Sequence, residues 1–334
     1  MGNTQTILVT GGAGYIGSHT VLELQRRGYH VIILDNLVYG HRYIVEEVLK
    51  VPLIIGDIGD RRLLDELFQA YKIDAVIHFA AYAYVGESVK KPARYYRNNV
   101  EGTLTLLEAM LAHGVTKIVF SSTCATYGIP TILPIPENHL QQPINPYGHS
   151  KLMVERILQD FDAAYGIKFV IFRYFNAAGA DPNGLIGEDH NPETHLIPLT
   201  LLAAIGKHSH ISIFGTDYPT LDGTCIRDYI HVSDLAVAHC LGLEYLVNQG
   251  KSEIFNLGNE NGYSVKEVIQ ACQDVTQRII PVVEQPRRIG DPPLLIGSNK
   301  KAQQTLGWSP MYSLTDMVNH AWQWHQKNYL LESK

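Results

Sequence analysis

Residues 10–17 read Thr-Gly-Gly-Ala-Gly-Tyr-Ile-Gly and follow the apolar run Ile7-Leu8-Val9 without a break. A buried strand that runs into a glycine-rich turn and then into a helix has few folds open to it. Gly11, Gly14 and Gly17, at GxxGxxG spacing, permit a tight turn, a close backbone approach to a pyrophosphate, and close packing of helix on strand. The unpaired amides at the helix start then face an anion that the helix dipole favours. Asp35 closes the next apolar run. A carboxylate there accepts hydrogen bonds from both ribose hydroxyls of an adenosine and repels a 2′-phosphate, so NAD is expected rather than NADP. Asp57, closing a third run, is expected near the adenine or as a helix cap.

Short Val/Ile/Phe-rich runs at 7–10, 31–35, 53–57, 75–80, 118–122 and 169–175 are separated, for the most part, by helix-length segments. The pattern predicts successive βαβ units, hence an α/β fold with a doubly wound parallel sheet of Rossmann type. After Asn176 the texture changes to turn-rich segments mixed with shorter helices and strands. We expect an NAD-binding domain over 1–176. Over 177–334 we expect mainly a smaller mixed α/β substrate lobe, with some segments returning to the first domain. The chain of 334 residues is 46% hydrophobic and 18% charged, an ordinary globular balance. Its net charge is −6, and its basic clusters are pairs such as Arg26-Arg27 and Arg287-Arg288, which argues against nucleic acid or an anionic membrane surface. No apolar run reaches the length of a membrane helix. The four cysteines have no CxxC spacing and the histidines no HExxH spacing, so no metal is expected. The start of the chain fits a loose N-myristoylation pattern but leads straight into a strand, and we read the match as accidental. No signal peptide is seen, which points to the cytoplasm.

Tyr147 and Lys151 stand at i and i+4, on one face of a helix for which Asn145-Pro146 is a good start signal. That helix follows the fifth strand, which ends in Ser121, Ser122 and Thr123, hydroxyls at the carboxyl edge where ligands bind. A free phenol has a pKa near 10; an adjacent ammonium and an oxidised nicotinamide ring could lower it enough for Tyr147 to act as a base on an alcohol. Thr123 would hydrogen-bond the same oxygen. The plain alternative is a packing Tyr and a solvent-facing Lys.

These motifs together resemble the extended short-chain dehydrogenase/reductase family, within it the UDP-glucose (UDP-galactose) 4-epimerases. In the first half the resemblance rests on TGGAGYIGSH, LDNL, GDIGD, IHFAA, VGES, YYRNNVEGT, FSSTCATYG and NPYGHSK. In the second it rests on FRYFNAAGA, THLIP, IFGTDYPTLDGTCIRDYIHV, FNLGN and RRIGD. It implies cofactor contacts from Gly11, Gly14, Tyr15, Ile16, Gly17, Asp35, Asn36, Asp57, Ile58, Phe79, Ala80, Ala81, Asn98, Ser122, Tyr147, Lys151 and Phe175. It implies catalytic roles for Tyr147, Lys151 and Thr123. It further implies contacts to a UDP-sugar from Thr123, Asn176, Leu196, Phe214, Arg227, Tyr229, Arg288 and Asp291, with Phe214 and Leu196 about a uracil and the two arginines on the diphosphate. A homodimer is implied as well; Leu104, Leu107, Leu111, Leu152, Ile157 and Phe161 could face a partner or the core.

Two departures matter. Many relatives carry a cofactor-touching Lys where this chain has Ala83, and Leu295, at the position that controls room for an N-acetyl group, is neither small nor a large aromatic. YAYVGES and PINPYG are also similar to UDP-arabinose (UDP-xylose) 4-epimerases, so the sugar stays open among hexoses, pentoses and N-acetylated forms. A dehydratase would need an Asp-Glu pair after Thr123, where this chain has Cys124-Ala125. A simple reductase would release its cofactor. A non-catalytic NAD sensor on the same fold would typically lose Tyr147 or Lys151, and both are present.

Overall fold

The computed structural model describes residues 5–288 and 291–329. The first four residues, with most of the lipidation pattern, and Ile289 and Gly290 of the RRIGD motif lie outside the described residues. Seven parallel strands form the main sheet. They are β1 (Thr6–Thr10), β2 (His30–Asp35), β3 (Leu53–Ile55), β4 (Ala75–His78), β5 (Lys117–Ser121) and β6 (Lys168–Tyr174), with β10 (Glu253–Leu257) arriving much later in the chain. Their order is β10-β6-β5-β4-β1-β2-β3. The order turns back between β1 and β4, so a crevice opens beyond the carboxyl ends of those strands.

Alternation along the strands builds two cores. Ile7, Val9, Ile33, Ile77, Val119, Val170 and Phe172 face one side, where the helices Tyr15–Arg26 and Val232–Gln249 cover them. Leu8, Ile32, Leu34, Val76, Ile118, Phe120 and Ile171 face the other, against Arg61–Ala70, Gly102–Ala112 and Pro146–Tyr165. Helices on both faces are what a parallel sheet with two apolar sides requires. Two strands end two residues sooner than the sequence suggests. β4 stops at His78 because the amides of Phe79 and Ala80 both turn to the Thr10 carbonyl. β3 stops at Ile55, and Asp57 lies in the following turn, where its carboxylate accepts the Gly59 amide at 2.8 Å. The adjacent helix is capped by Asp60, so Asp57 is not the cap.

Only Phe175 separates β6 from β7 (Asn176–Ala178), which begins a smaller assembly. There β9 (Ile226–His231) pairs with β7, β11 (Gly262–Ser264) and β13 (Leu294–Leu295), and β8 (Ile211–Phe214) pairs with β12 (Val282–Gln285). The helices Leu196–Ala204, Val265–Thr276 and Leu314–Tyr329 form its core. Between these pieces the chain returns to the large sheet through the Val232–Gln249 helix and β10. Leu107, on the sequence a candidate for either core or interface, is fully buried in the main core.

Two buried features set stability. Arg173 of β6 and Glu155 of the Pro146–Tyr165 helix are 2% and 1% exposed and meet through three contacts of 2.6–3.2 Å. Removing one partner strands a buried charge, so Arg173→Met should destabilise the fold by about 3–5 kcal/mol, read from the urea midpoint. The second feature is a set of buried histidines. Burial pushes His19 and His239 down to about 4 and His78 to about 3. The unfolded chain takes up these protons below about 6.5 while the folded chain does not. Their stabilisation is therefore full above that pH and is lost as pH falls toward 4 and below, while the buried carboxyls of Asp228 and Asp234, raised by burial to about 7 and about 6, act in the opposite sense.

Candidate active site

The crevice is a cleft of about 980 Å³ that the glycine turn helps to line. Gly11 has φ +73°, and a Cβ there would stand 2.6 Å from the Ala80 amide nitrogen. A Cβ on Gly17 would stand 2.2 Å from the Gly11 carbonyl. Both positions therefore exclude a side chain. Gly14 is different: a Cβ there would meet nothing nearer than the Gly11 carbonyl at 3.4 Å, so its bareness leaves room in the cleft. Asp35 reaches back to this turn. Its carboxylate accepts the Ala13 amide at 3.0 Å and the Leu37 amide at 2.9 Å. Burial raises its pKa while those two amides oppose the rise. An open glycine at a helix start, with a fixed carboxylate at the end of the adjoining strand, fits NAD.

The Pro146–Tyr165 helix carries Tyr147 and Lys151 in its first turns. Asn145 caps it by accepting the Gly148 amide at 2.9 Å, and Pro146 occupies the first position, as the sequence suggests. Gly148 lets the helix start press on the segment after β5, since a Cβ there would stand 2.5 Å from the Ala125 carbonyl. This brings Tyr147 and Lys151 to the same cleft as Thr123. Lys151 is buried; its Nζ donates to the Ser121 carbonyl at 2.7 Å and lies 4.8 Å from the centre of the Phe120 ring. Burial lowers its pKa to about 7, against the pull of Glu155. Desolvation raises the Tyr147 phenol well above its ordinary value, Tyr174 adds to the rise, and the Thr123 hydroxyl opposes it. The protein alone thus favours the neutral form of Tyr147.

Gly11, Gly14, Tyr15, Ile16, Gly17, Asp35, Asn36, Ile58, Phe79, Ala80, Ala81, Asn98 and Phe175 all line the cleft, as do Asn176, Arg227 and Asp291. Asp57 does not line it, although Asn36 donates to its carboxylate at 3.0 Å. Ser122 also does not, because its hydroxyl turns away to Glu155; Ser121 lines the cleft in its place and pairs with the Tyr174 hydroxyl. Leu196, Phe214, Tyr229 and Arg288 lie outside the lining. Arg288 places its guanidinium 3.9 Å from the centre of the Phe214 ring, so a cation covers a face expected to take a base. Arg227 pairs with Asp291 at 3.5 Å and donates to the Pro292 carbonyl at 2.8 Å. The two arginines are therefore engaged separately. Ala83 and Leu295 both border the cleft.

The lining also includes groups to which sequence reasoning gave no role, among them Tyr82, Tyr84, His190 and His195. The two histidines gather with Glu188 and Glu193. The available signal was the alternation of Glu and His within 188–195, which matches no familiar motif.

The profile of the NAD dependent epimerase/dehydratase family matches residues 7–258. A UDP-glucose 4-epimerase of Halalkalibacterium halodurans is 57% identical over 332 residues, covering 98% of each chain. The solved UDP-glucose 4-epimerase of Brucella ovis, in complex with NAD, is 48% identical with a TM-score of 0.93, over 96% of this chain and 98% of that one. A UDP-glucose-4-epimerase of Stenotrophomonas maltophila, solved with NAD and formylated UDP-arabinopyranose, is 40% identical with a TM-score of 0.95, over 99% and 100%. The chain belongs to the NAD dependent epimerase/dehydratase family, in its UDP-glucose 4-epimerase branch.

Proposed function

We propose that this chain interconverts UDP-glucose and UDP-galactose, with NAD as its cofactor, by oxidising the sugar at C4′ to a keto form and reducing it again from the opposite face. The observation that carries this reading is a single cleft bordered by both the glycine turn with Asp35 and the set Thr123, Tyr147 and Lys151. NAD, when bound, supplies the two-electron acceptor that C4′ needs and returns the electrons. Tyr147 Oη takes the 4′-hydroxyl proton and gives it back when the alcohol re-forms. Thr123 holds the same oxygen, and the Lys151 ammonium offsets the charge on the phenolate. Arg227 takes the diphosphate of the substrate, and Asn176 and Asp291 contact other parts of the UDP and its ribose. The further assignment of Leu196 and Phe214 to the uracil, of Tyr229 to the UDP, of Arg288 to the diphosphate, and of Asp57 and Ser122 to the cofactor, rests on the resemblance. The same holds for the division at residue 176 between a cofactor lobe and a substrate lobe.

A dehydratase is disfavoured because the residue after Thr123 is Cys124, whose buried thiol is pushed up to about 12 and makes a poor acid–base group. A pentose reading has one supporting observation, the S. maltophila relative solved with a UDP-arabinopyranose derivative. We further propose a homodimer. Leu111 and Met153, 39% and 44% exposed, lie on the packed helices Gly102–Ala112 and Pro146–Tyr165 and support that reading. A cytoplasmic location is supported by four buried, unpaired cysteines.

Tyr147→Phe should lower kcat about 10²–10⁴-fold while bound NAD is retained, read by sugar-nucleotide chromatography and by NAD released on denaturation. Full activity in that variant would overturn the mechanism. Lys151→Met removes the cation that favours the phenolate, so the acidic limb of the kcat–pH profile should move to higher pH. Parallel incubation with UDP-galactose, UDP-N-acetylgalactosamine and UDP-arabinose, without added NAD, should show fastest turnover of UDP-galactose; faster turnover of the pentose would establish the second reading.

A further inference from the structure

The loop that follows β7 turns four ligand-type side chains toward one point. Glu188, His190, Glu193 and His195 each offer one donor atom, and these atoms all lie within 4.8 Å of one another. Glu188 is 4% exposed; its Oε1 stands 3.1 Å from His190 Nδ1 and in closer contact with His195 Nδ1. Glu193 is anchored through its other oxygen, which accepts the Thr194 amide at 2.6 Å and the His195 amide at 2.8 Å. That leaves Glu193 Oε2 facing His190 Nδ1 at 3.8 Å. Despite these neighbours, His190 Nδ1 is buried without a well-formed hydrogen bond. The Tyr84 hydroxyl, buried and likewise without a hydrogen-bond partner, lies in the field of the same two carboxylates.

Two imidazole nitrogens crowd a single carboxylate oxygen while one of them makes no aligned bond. With neutral imidazoles the four side chains carry two negative charges, which one divalent cation cancels. Zinc takes four ligands at about 2.0–2.2 Å in a tetrahedron, for which the ligand atoms must sit on the order of 3.3 Å apart. The separations here lie on either side of that spacing. Two imidazoles select a zinc-class ion over calcium or magnesium, which favour oxygen ligands. Four protein ligands fill the tetrahedron, so the site has the closed character of a structural centre. The backbone amides on Glu193 orient a ligand from behind, as outer-sphere partners do in metal sites.

The position gives such an ion a purpose. His190 meets Tyr15, the first residue of the glycine-turn helix, edge-on at 6.0 Å, and Tyr84 at 6.1 Å. His195 immediately precedes the Leu196–Ala204 helix of the smaller assembly. We propose that Glu188, His190, Glu193 and His195 form a closed tetrahedral site for a zinc-class divalent cation, which clamps the 188–195 loop at the rim of the cleft.

The test is metal content. Chelator-stripped protein titrated with zinc chloride, in competition with a chromophoric chelator, should bind one zinc per chain and retain it through gel filtration, as read by elemental analysis. Glu193→Gln should weaken binding by at least about tenfold, and the double variant His190→Gln/His195→Gln should weaken it further. The variant His208→Gln/His210→Gln, on exposed residues, should bind zinc like the unaltered protein. Zinc well below one per chain, or equal binding in the His190/His195 double variant, would overturn the proposal. If the double variant does not fold, cobalt(II) in the unaltered protein decides: an intense tetrahedral spectrum is expected, and a weak octahedral one overturns the site.

Discussion

The buried contact between Arg173 and Glu155 organises the reactive side of this molecule. Glu155 lies one helical turn beyond Lys151, so pinning its carboxylate to β6 fixes the face of the helix that carries Lys151 and Tyr147. The same carboxylate takes the Ser122 hydroxyl and the Gln141 amide, while Arg173 reaches the Tyr127 hydroxyl and the Glu137 carbonyl. Tyr127 in turn donates to Asn256 at 2.7 Å. One ion pair thereby locks the reactive helix, the end of β5 and the returning strand β10 in a single register. A pair this deeply desolvated needs every remaining polar atom met, and this network supplies the partners.

Electrostatics in the cleft run against the chemistry until ligands arrive. Burial raises Tyr147 and lowers Lys151, so in the protein alone neither group favours its charged form as strongly as it would in water. The proposed mechanism requires both charges at once, phenolate beside ammonium. Each stabilises the other, and a cationic nicotinamide ring would add to the effect. The Thr123 hydroxyl already pulls Tyr147 in that direction. On the proposed mechanism, activation of the phenol belongs to the assembled complex rather than to the folded chain.

What was legible in the sequence followed from local backbone chemistry. Gly11, Gly14 and Gly17 each occupy the steric situation their spacing implies, Asn145 caps the helix it precedes, and Asp35 ends the strand it was placed on. The failures involve side-chain direction and distant partners. Ser121 ends β5 and Ser122 follows it, their hydroxyls turned to different partners, and composition does not tell which faces the cleft. Arg288 settling on Phe214 depends on how the end of β8 meets a segment far along the chain. The Glu188–His195 cluster is nearly contiguous, yet it becomes visible only once the loop folds four donors inward.

The passage from β6 to β7 has a mechanical meaning. A single residue, Phe175, joins the large sheet to the smaller assembly, and β9 runs directly into the Val232–Gln249 helix with no intervening loop. These two crossings are short, so the chain passes between the large sheet and the smaller assembly there with almost no connecting loop. In the proposed reaction the turn of the sugar is assigned to its own torsions at the diphosphate rather than to a parting of the cleft walls.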